Sequence, residues 1–315
     1  MQTFESLYTN DSTVNITVYW GNAGPFTNIS LGASETVLVG TSTYADVVNA
    51  LFASSTTAAD ISSVASLPPM DPIANDQWIV PQAEAKALGL PGVPPHDTSD
   101  DGDIGFASDV TYTFDANNRA VPGEFDFIGV AEHEISEVLG RIAGLGQAGG
   151  IYLPYDLFRF TSNGVRSFGL TDMNVYFSVE NGATILKYFF GDITQGDIQD
   201  WQTSSPPDVF DAFASDSQAG LLSSADITAV DILGYDLNLA IPTLAGAKEA
   251  NGSFQLTFTN IPGTASAVLA STNLSISTSN WTVLGTTAES SAGQFQFTDT
   301  QAFTNAQRFY RTRLN

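Results

Sequence analysis

Cysteine is absent from the 315 residues of this sequence, which excludes disulfide bridges, a thiol nucleophile and thiolate metal ligands. Basic residues are scarce: ten lysines and arginines stand against 34 aspartates and glutamates, and the net charge is −24. Such a surface repels the phosphates of nucleic acids and anionic lipids, so neither is an expected partner. It suits cations and cationic substrates. No apolar run reaches the ~18 residues of a membrane-spanning helix, so no membrane span is expected.

The basic and apolar regions of a signal peptide are missing from the N-terminus, which begins Met-Gln-Thr-Phe-Glu. The composition is rich in Ser, Thr, Asn, Gly and Asp. We therefore expect a secreted bacterial protein whose signal peptide has been removed, and we favour a monomer. One interpretation of the acidity is that it keeps such a protein soluble.

The acidic charge is confined to the first three quarters of the chain. From Ile241 onward four basic residues outnumber three acidic ones, so the first 240 residues carry −25. We predict two domains, residues 1–240 and 252–315, joined by a linker over residues 241–251. The second domain has five or six short alternating strands with turn signals at ~8–12-residue spacing, which is typical of a small β-sandwich of the immunoglobulin or fibronectin type.

The first domain mixes helical and strand patterns, so its expected fold class is α+β. Alternation of polar and apolar residues predicts a strand over 12–20. Apolar periodicity predicts helices over 43–53, 80–90, 126–139 and 224–233. Residues 151–190 have a strand-like pattern, with hairpin turns expected at Asn163-Gly164 and Asn181-Gly182.

The helix predicted over 126–139 carries the motif His133-Glu134-Ile-Ser-Glu137. His133 and Glu137 are four residues apart and share one helix face, so both can bind one metal ion. Glu134 lies about 100° round the helix, where it can act as a general base toward water at the site. Zinc is the expected cofactor, although one histidine with two carboxylates also suits Mn²⁺ or Ca²⁺.

The segment Ala131–Arg141, followed by Tyr155-Asp156-Leu-Phe-Arg159, resembles a family of secreted bacterial metalloproteases of the metzincin-like type. Segments 83–90, 101–106 and 222–235 resemble further parts of its catalytic domain. The resemblance implies a zincin-like α+β domain with a twisted sheet and an active-site helix, acting on protein or peptide substrates. The site that we expect comprises the metal ligands His133, Glu137 and Asp156 and the general base Glu134. Arg159 and Tyr155 are candidates for stabilising the developing oxyanion; Arg159 is equally expected to pair with Asp156 or a surface acid, and an ordinary packing role is the stronger expectation for Tyr155.

The motif departs from the usual H-E-x-x-H signature. Glu137 replaces the second histidine, and Ala143 stands where a metzincin has its third. The third ligand is therefore open among Asp156, His96 and Asp172. Met173 is a candidate for the methionine that lies beneath a metzincin metal.

A second metal site is suggested by the acidic loop Asp97-Thr-Ser-Asp-Asp-Gly-Asp103. It resembles the first half of an EF-hand loop, but position twelve is Ser108 rather than glutamate. We expect either a structural Ca²⁺ bound by Asp97, Asp101 and Asp103 or a solvated acidic loop.

Three functions are compatible with these motifs. The first is a secreted metallopeptidase in which Glu134 activates water for attack on a peptide bond. The second is a catalytically degenerate secreted or surface protein that binds a target. The third is a metal-dependent hydrolase of a non-peptide amide or ester.

Overall fold

The computed structural model describes residues 2–73, 78–145, 151–238, 244–260, 266–277, 280–291, 293–305 and 307–314. The chain forms two compact units, Met1–Leu221 with Ala225–Asn238 and Leu222–Ser224 with Leu239–Asn315. Residues 241–243 of the predicted linker lie outside the described residues. Residues 245–248 form a strand, so the linker prediction was wrong there. Its Ala-Gly-Ala-Lys sequence lacks large apolar residues, but backbone pairing with a neighbouring strand needs none.

The helices of the described chain are α1 (Gln2–Leu7), α2 (Tyr44–Ala53), α3 (Ala58–Ala65), α4 (Gln82–Ala87), α5 (Phe127–Val138) and α6 (Ser224–Asp231). The strands described in the first unit are β1 (Ile16–Trp20), β2 (Gly32–Thr36), β3 (Leu38–Ser42), β4 (Trp78–Pro81), β5 (Gly102–Phe106), β6 (Tyr112–Thr113), β7 (Phe125–Asp126), β8 (Arg159–Ser162), β9 (Val165–Arg166), β10 (Tyr176–Phe177) and β11 (Lys187–Tyr188). The first unit is therefore a mixed α/β structure with several small sheets, and none of the helices described is long and apolar enough to cross a bilayer.

The four predicted helices are confirmed, with shifted ends. The pattern over 126–139 forms α5, and the pattern over 224–233 forms α6. The pattern over 80–90 gives a shorter helix, because residues before it pair as β4 and Gly89 ends it with a φ of 63°. Helices α1 and α3 are additional to the prediction.

A three-stranded sheet with the order β1-β5-β2 supports the helix α5. β1 runs parallel to β5 and β2 runs antiparallel to it. Ile104 and Phe106 of the central strand are buried. The sequence does not predict β2, because Gly-Ala-Ser-Glu-Thr contains none of the large apolar residues that favour strands.

Helix α5 packs against β2 across small side chains. Side chains alternate along a strand, so Gly32, Ser34 and Thr36 share the face toward the helix. Ser34 Oγ donates to Glu137 Oε2 at 2.6 Å, and Thr36 Oγ1 donates to the Glu137 carbonyl at 3.1 Å. A Cβ on Gly32 would collide with the Glu134 carboxylate. The composition that makes β2 a poor strand former is thus what lets α5 approach.

The region predicted to contain hairpins forms a four-stranded sheet with the order β11-β10-β8-β9. Gly164 turns between β8 and β9 with a φ of 75°. Asn181 and Gly182, with φ values of 53° and 80°, lie in the connection between β10 and β11. Both sites adopt the positive φ for which Asn-Gly pairs are suited, so the turn predictions are confirmed.

The second unit contains two antiparallel sheets. Its described strands are β12 (Ala245–Lys248), β13 (Phe254–Thr259), β14 (Ser266–Ser271), β15 (Thr282–Thr286), β16 (Ala288–Ser291), β17 (Gln294–Asp299) and β18 (Phe309–Leu314). The sheet orders are β12-β13-β17-β16 and β15-β14-β18. Leu256 and Phe258 of β13 and Phe295 of β17 are buried between more exposed neighbours, as the alternating pattern predicts, whereas β14 is buried along residues 266–270.

Buried acidic residues join α3 to α6. Thr57 precedes α3, and its hydroxyl accepts from the Asp60 amide and donates to Asp231 Oδ2 at 2.7 Å. Both aspartates are buried. Burial, followed by the charge of Asp60, raises the pKa of Asp231 to about 8. Asp231 therefore keeps its proton in the folded protein at neutral pH.

We expect Asp231→Asn to reduce the pH dependence of stability. The folded pKa of about 8 lies above the unfolded value of about 4, so the folded state binds more protons and loses stability as pH rises between these values. Asparagine still accepts from Thr57 but does not ionise. Between about pH 5 and pH 8 the melting temperature of the variant should fall less than that of the wild type. Thermal unfolding at several pH values measures this, with the exposed Asp109→Asn as matched control; equal slopes would contradict the assignment.

Candidate metal centre

Helix α5 turns one polar face toward a cleft. It starts after Asp126, whose carboxylate is bound by Arg119 at 2.6 Å, and it stops before Gly140, whose φ of 121° disfavours any other residue. Ile135 and Val138 are buried on its apolar side. The motif residues are thereby held on a rigid element rather than on a loop.

His133, Glu137 and Asp200 form a group whose ligand atoms all lie within 4.8 Å of one another. His133 Nε2 is 3.7 Å from Glu137 Oε1 and 3.3 Å from Asp200 Oδ1. Bonds of about 2.0–2.2 Å place neighbouring ligands of a tetrahedral ion about 3.3–3.6 Å apart. The three residues therefore fit a divalent metal ion in donor type and in spacing. Over the described part of the chain, they are the sole such group.

Hydrogen bonds orient both ligands of the helix. His133 Nδ1 lies 2.9 Å from the Val209 carbonyl, so a proton donated there leaves Nε2 to face the carboxylates. Glu137 Oε2 accepts from Ser34, and Oε1 accepts from Gln199 Nε2 at 3.0 Å. Burial opposes ionisation, but the hydrogen bond and charge of His133 in its protonated form, together with the charge of Arg141, lower the pKa of Glu137 to about 2. Glu137 is therefore preoriented as a candidate metal ligand.

Arg141 connects α5 to the segment that carries Asp200. Its guanidinium is fully buried and donates to Asp200 Oδ1 at 2.7 Å, to the Gln199 carbonyl at 3.3 Å and to Ser136 Oγ at 2.7 Å. It also lies 3.5 Å from Glu137 Oε1. A buried guanidinium needs such partners, so the two carboxylates are fixed beside each other.

The backbone around Asp200 is anchored from several directions. The Asp200 carbonyl accepts from the Phe190 amide at 2.7 Å, and the Trp201 amide donates to the Phe210 carbonyl at 2.8 Å. Trp201 Nε1 donates to Asp226 Oδ1 at 2.7 Å. Asp200 is thus placed as firmly as the residues on α5, although it belongs to no helix or strand.

Glu134 lies beside the group and lines the cleft. It is 6% exposed and makes no hydrogen bond to another described residue. Burial and the charges of Glu137 and Asp200 raise its pKa to about 8, although His133 and Arg141 oppose the shift. Positive charge bound next to it would lower that pKa. Glu134 is therefore placed to exchange a proton with a ligand in the cleft.

The cleft has a volume of about 500 Å³. Its lining includes residues 26–34 and, from later in the chain, residues 195–197, 207–209 and 211–215. The Ala107 amide donates to the Leu31 carbonyl, so Leu31 is a hydrogen-bonded position of the pair formed by β2 and β5. Hydrogen-bonded and non-hydrogen-bonded positions alternate along an antiparallel strand, so the peptide groups of Gly32 and Ser34 point away from β5. They line the cleft, where an extended ligand backbone could pair with them.

Asp156 was the wrong choice for the third ligand. Its Oδ2 accepts from the Gly144 amide at 2.9 Å and the Leu153 amide at 3.0 Å, and it is fully buried. These bonds close the 3₁₀ helix Pro154–Phe158. Asp200 takes the predicted place of Asp156 in the group.

The rival ligands also lie elsewhere. His96 is exposed and contacts Thr13 and Asp11. Asp172 accepts from Ser167 at 2.7 Å. Met173 is 79% exposed, so it is not packed beneath the group.

Tyr155 and Arg159 do not reach the cleft, so their predicted oxyanion roles are wrong. Both side chains are buried and neither lines the cleft. Tyr155 packs against Phe177 and Phe189. Arg159 donates to the Ile198 carbonyl at 2.7 Å and lies over the Phe189 ring. Arg159 therefore supports the segment that precedes Asp200.

A lysine replaces the predicted calcium ion. Lys86 Nζ contacts Asp101 Oδ2 at 2.8 Å, the Asp97 carbonyl at 3.0 Å and the Thr13 carbonyl at 3.1 Å. Asp97 uses its carboxylate to accept from the Ser99 amide, and Asp103 lies within β5. The three aspartates form no common group among the described residues, so the structure does not bring the predicted calcium ligands together.

Sequence reasoning found His133, Glu134 and Glu137 but missed Asp200 and Arg141. The one local signal for Asp200 is a polar pair, Gln199-Asp200, between the apolar residues Ile198 and Trp201. A buried acid in such a segment needs a partner, but nothing local identifies which one.

No known protein family, characterised protein or solved structure matches this chain. The metzincin-like resemblance therefore stays a prediction.

We expect Arg141→Met to destabilise the first unit by about 3–5 kcal/mol, because it leaves Asp200 buried without its ion-pair partner. Asp200→Asn in the same chain should recover part of that loss. Urea denaturation of the wild type, both single variants and the double variant measures the coupling. Strictly additive effects would show that the pair is not a unit.

Proposed function

We propose that this protein is a metal-dependent hydrolase that cleaves peptide bonds. The observation that carries the proposal is the convergence of His133, Glu137 and Asp200 beside the buried, unpartnered carboxyl of Glu134. A purely structural metal site would not need an ionisable group such as Glu134 that lies next to it and faces the cleft. A divalent ion held by the three ligands would supply Lewis-acid polarisation and a lowered pKa for water.

The residues of the chain then have separable roles. Glu134 accepts a proton from the attacking water and can return it to the leaving amine. Its position opposite Gly32 puts the carboxyl between the group and the exposed peptide groups of β2. Gly32 and Ser34 can align an extended substrate by backbone pairing, which favours peptides over small esters.

Metal binding should depend on His133, Glu137 and Asp200, the three candidate ligands that converge in the structure. His133→Ala, Glu137→Gln and Asp200→Asn should each weaken Zn²⁺ binding by more than about 100-fold, which exceeds the usual effect of losing a residue that only orients a ligand. Asp156→Asn is the matched control and should bind normally, since asparagine can still accept from Leu153 and Gly144. Calorimetric titration with Zn²⁺ and with Mn²⁺ measures this. Normal binding by Asp200→Asn would remove Asp200 from the site.

Hydrolysis should depend on Glu134. Glu134→Gln should keep the metal but lose at least about 100-fold in the cleavage of casein, because the general base is gone. Elemental analysis confirms metal loading, and a fluorogenic casein assay measures the rate. Unchanged cleavage would disprove the role of Glu134. A loaded wild type that cleaves ester substrates but no peptide would favour the non-peptide hydrolase, and one that cleaves neither would favour the degenerate binding protein.

A further inference from the structure

The cleft is acidic and contains a carboxylate that the protein itself does not neutralise. Its acidic lining residues are Asp126, Glu134, Glu137, Asp197, Asp200, Asp208 and Asp211, and no lysine or arginine lines it among the described residues. Five of them are bound by other side chains: Asp126 by Arg119, Glu137 by Ser34, Asp200 by Arg141, Asp208 by Lys187 and Asp211 by Ser204. Glu134 and Asp197 remain.

The two remaining acids differ in position. Glu134 is nine-tenths buried and faces the cleft without a partner, which indicates that a ligand group meets it there. Asp197 is exposed and also lines the cleft. The Asp200 amide donates to the Asp197 carbonyl at 3.2 Å, so a tight turn keeps Asp197 next to the metal-ligand group.

An aromatic ring adjoins the turn that carries Asp197. A Cβ on Gly196 would lie 3.6 Å from Phe213 Cζ, which places the Phe213 ring against the backbone of this turn. Phe213 lines the cleft, is 46% exposed and is fixed edge-to-face on Phe190 at 5.2 Å. A carboxylate beside an open aromatic ring is a pairing that binds a planar guanidinium by ion pairing and by cation–π contact.

We propose that the cleft selects peptides with an arginine side chain next to the cleaved bond, with Asp197 binding the guanidinium and the Phe213 ring packing against it. This inference rests on the proposed function. The acidic cleft also attracts such a substrate before contact, because its surroundings carry negative charge without basic residues on the lining.

The test compares two peptides that differ only in arginine or citrulline, which has nearly the same shape but no charge. With the zinc-loaded full chain, kcat/KM for the arginine peptide should exceed that for the citrulline peptide by about tenfold or more. Asp197→Asn should reduce this ratio to near one by lowering kcat/KM for the arginine peptide while leaving kcat/KM for the citrulline peptide unchanged. Phe213→Leu should reduce the ratio in part. Asp216→Asn removes an exposed charge outside the lining and should keep the ratio.

Binding is measured separately from cleavage by fluorescence anisotropy with both peptides and the Glu134→Gln chain. The wild-type protein could bind the arginine peptide more tightly and cleave neither peptide. If Asp197→Asn then abolishes that binding preference, the recognition of arginine is supported and the proposed peptidase function fails. Equal binding of both peptides overturns the inference, as does an arginine preference that survives Asp197→Asn. Loss of zinc from Asp197→Asn also overturns it, because Asp197 would then be a ligand of the metal.

Discussion

The candidate site depends on the ion pairs that the buried Arg141 guanidinium forms. A charge that is fully removed from water is tolerated only with close partners, and Arg141 finds them in Asp200 and Glu137. It thereby joins the end of a helix to a segment almost sixty residues later in the chain. Since His133 stands one turn before Glu137, the same contact brings imidazole and both carboxylates together. The spacing of the three ligand atoms is therefore set by an ion pair within the protein.

The second constraint is how closely α5 approaches β2. Glycine at position 32 leaves room for the Glu134 carboxylate, and the short side chain of Ser34 donates directly to Glu137. Larger residues at these positions would favour the strand but separate it from the helix. The strand persists because it pairs with the buried β5, so tertiary contacts compensate for its weak local preference. The close packing of β2 against α5 therefore both positions the acidic residues of α5 and forms part of the cleft lining.

Features whose interacting residues lie close together in the chain were predicted from the sequence, and features that depend on distant residues were not. Helix α5 and the Asn-Gly turns depend on residues within a few positions of each other, and they were predicted well. The ligand Asp200 depends on Arg141, Arg159 and Phe190, which are far away in the chain, and no periodic pattern surrounds it. Asp156 was chosen by resemblance; its carboxyl has a local task, which is to accept two backbone amides. Likewise, the acidic loop at Asp101 suggested calcium because only the fold reveals that Lys86 is its cation.

The negative charge of the first unit cannot be explained by solubility alone. Charge that keeps a protein in solution serves best on the surface, where ionisation costs little. Glu134, Glu137 and Asp200 are buried instead. Ligand atoms of Glu137 and Asp200 lie within 4.8 Å of each other, and both carboxylates contact His133 and Arg141. Concentrating carboxylates in this way is unfavourable unless a cation joins them, and hard oxygen ligands with one imidazole suit a divalent metal. In the proposed site, a bound divalent ion would balance the carboxylates of Glu137 and Asp200, and the acid at the cleft wall would remain for the charge of a substrate.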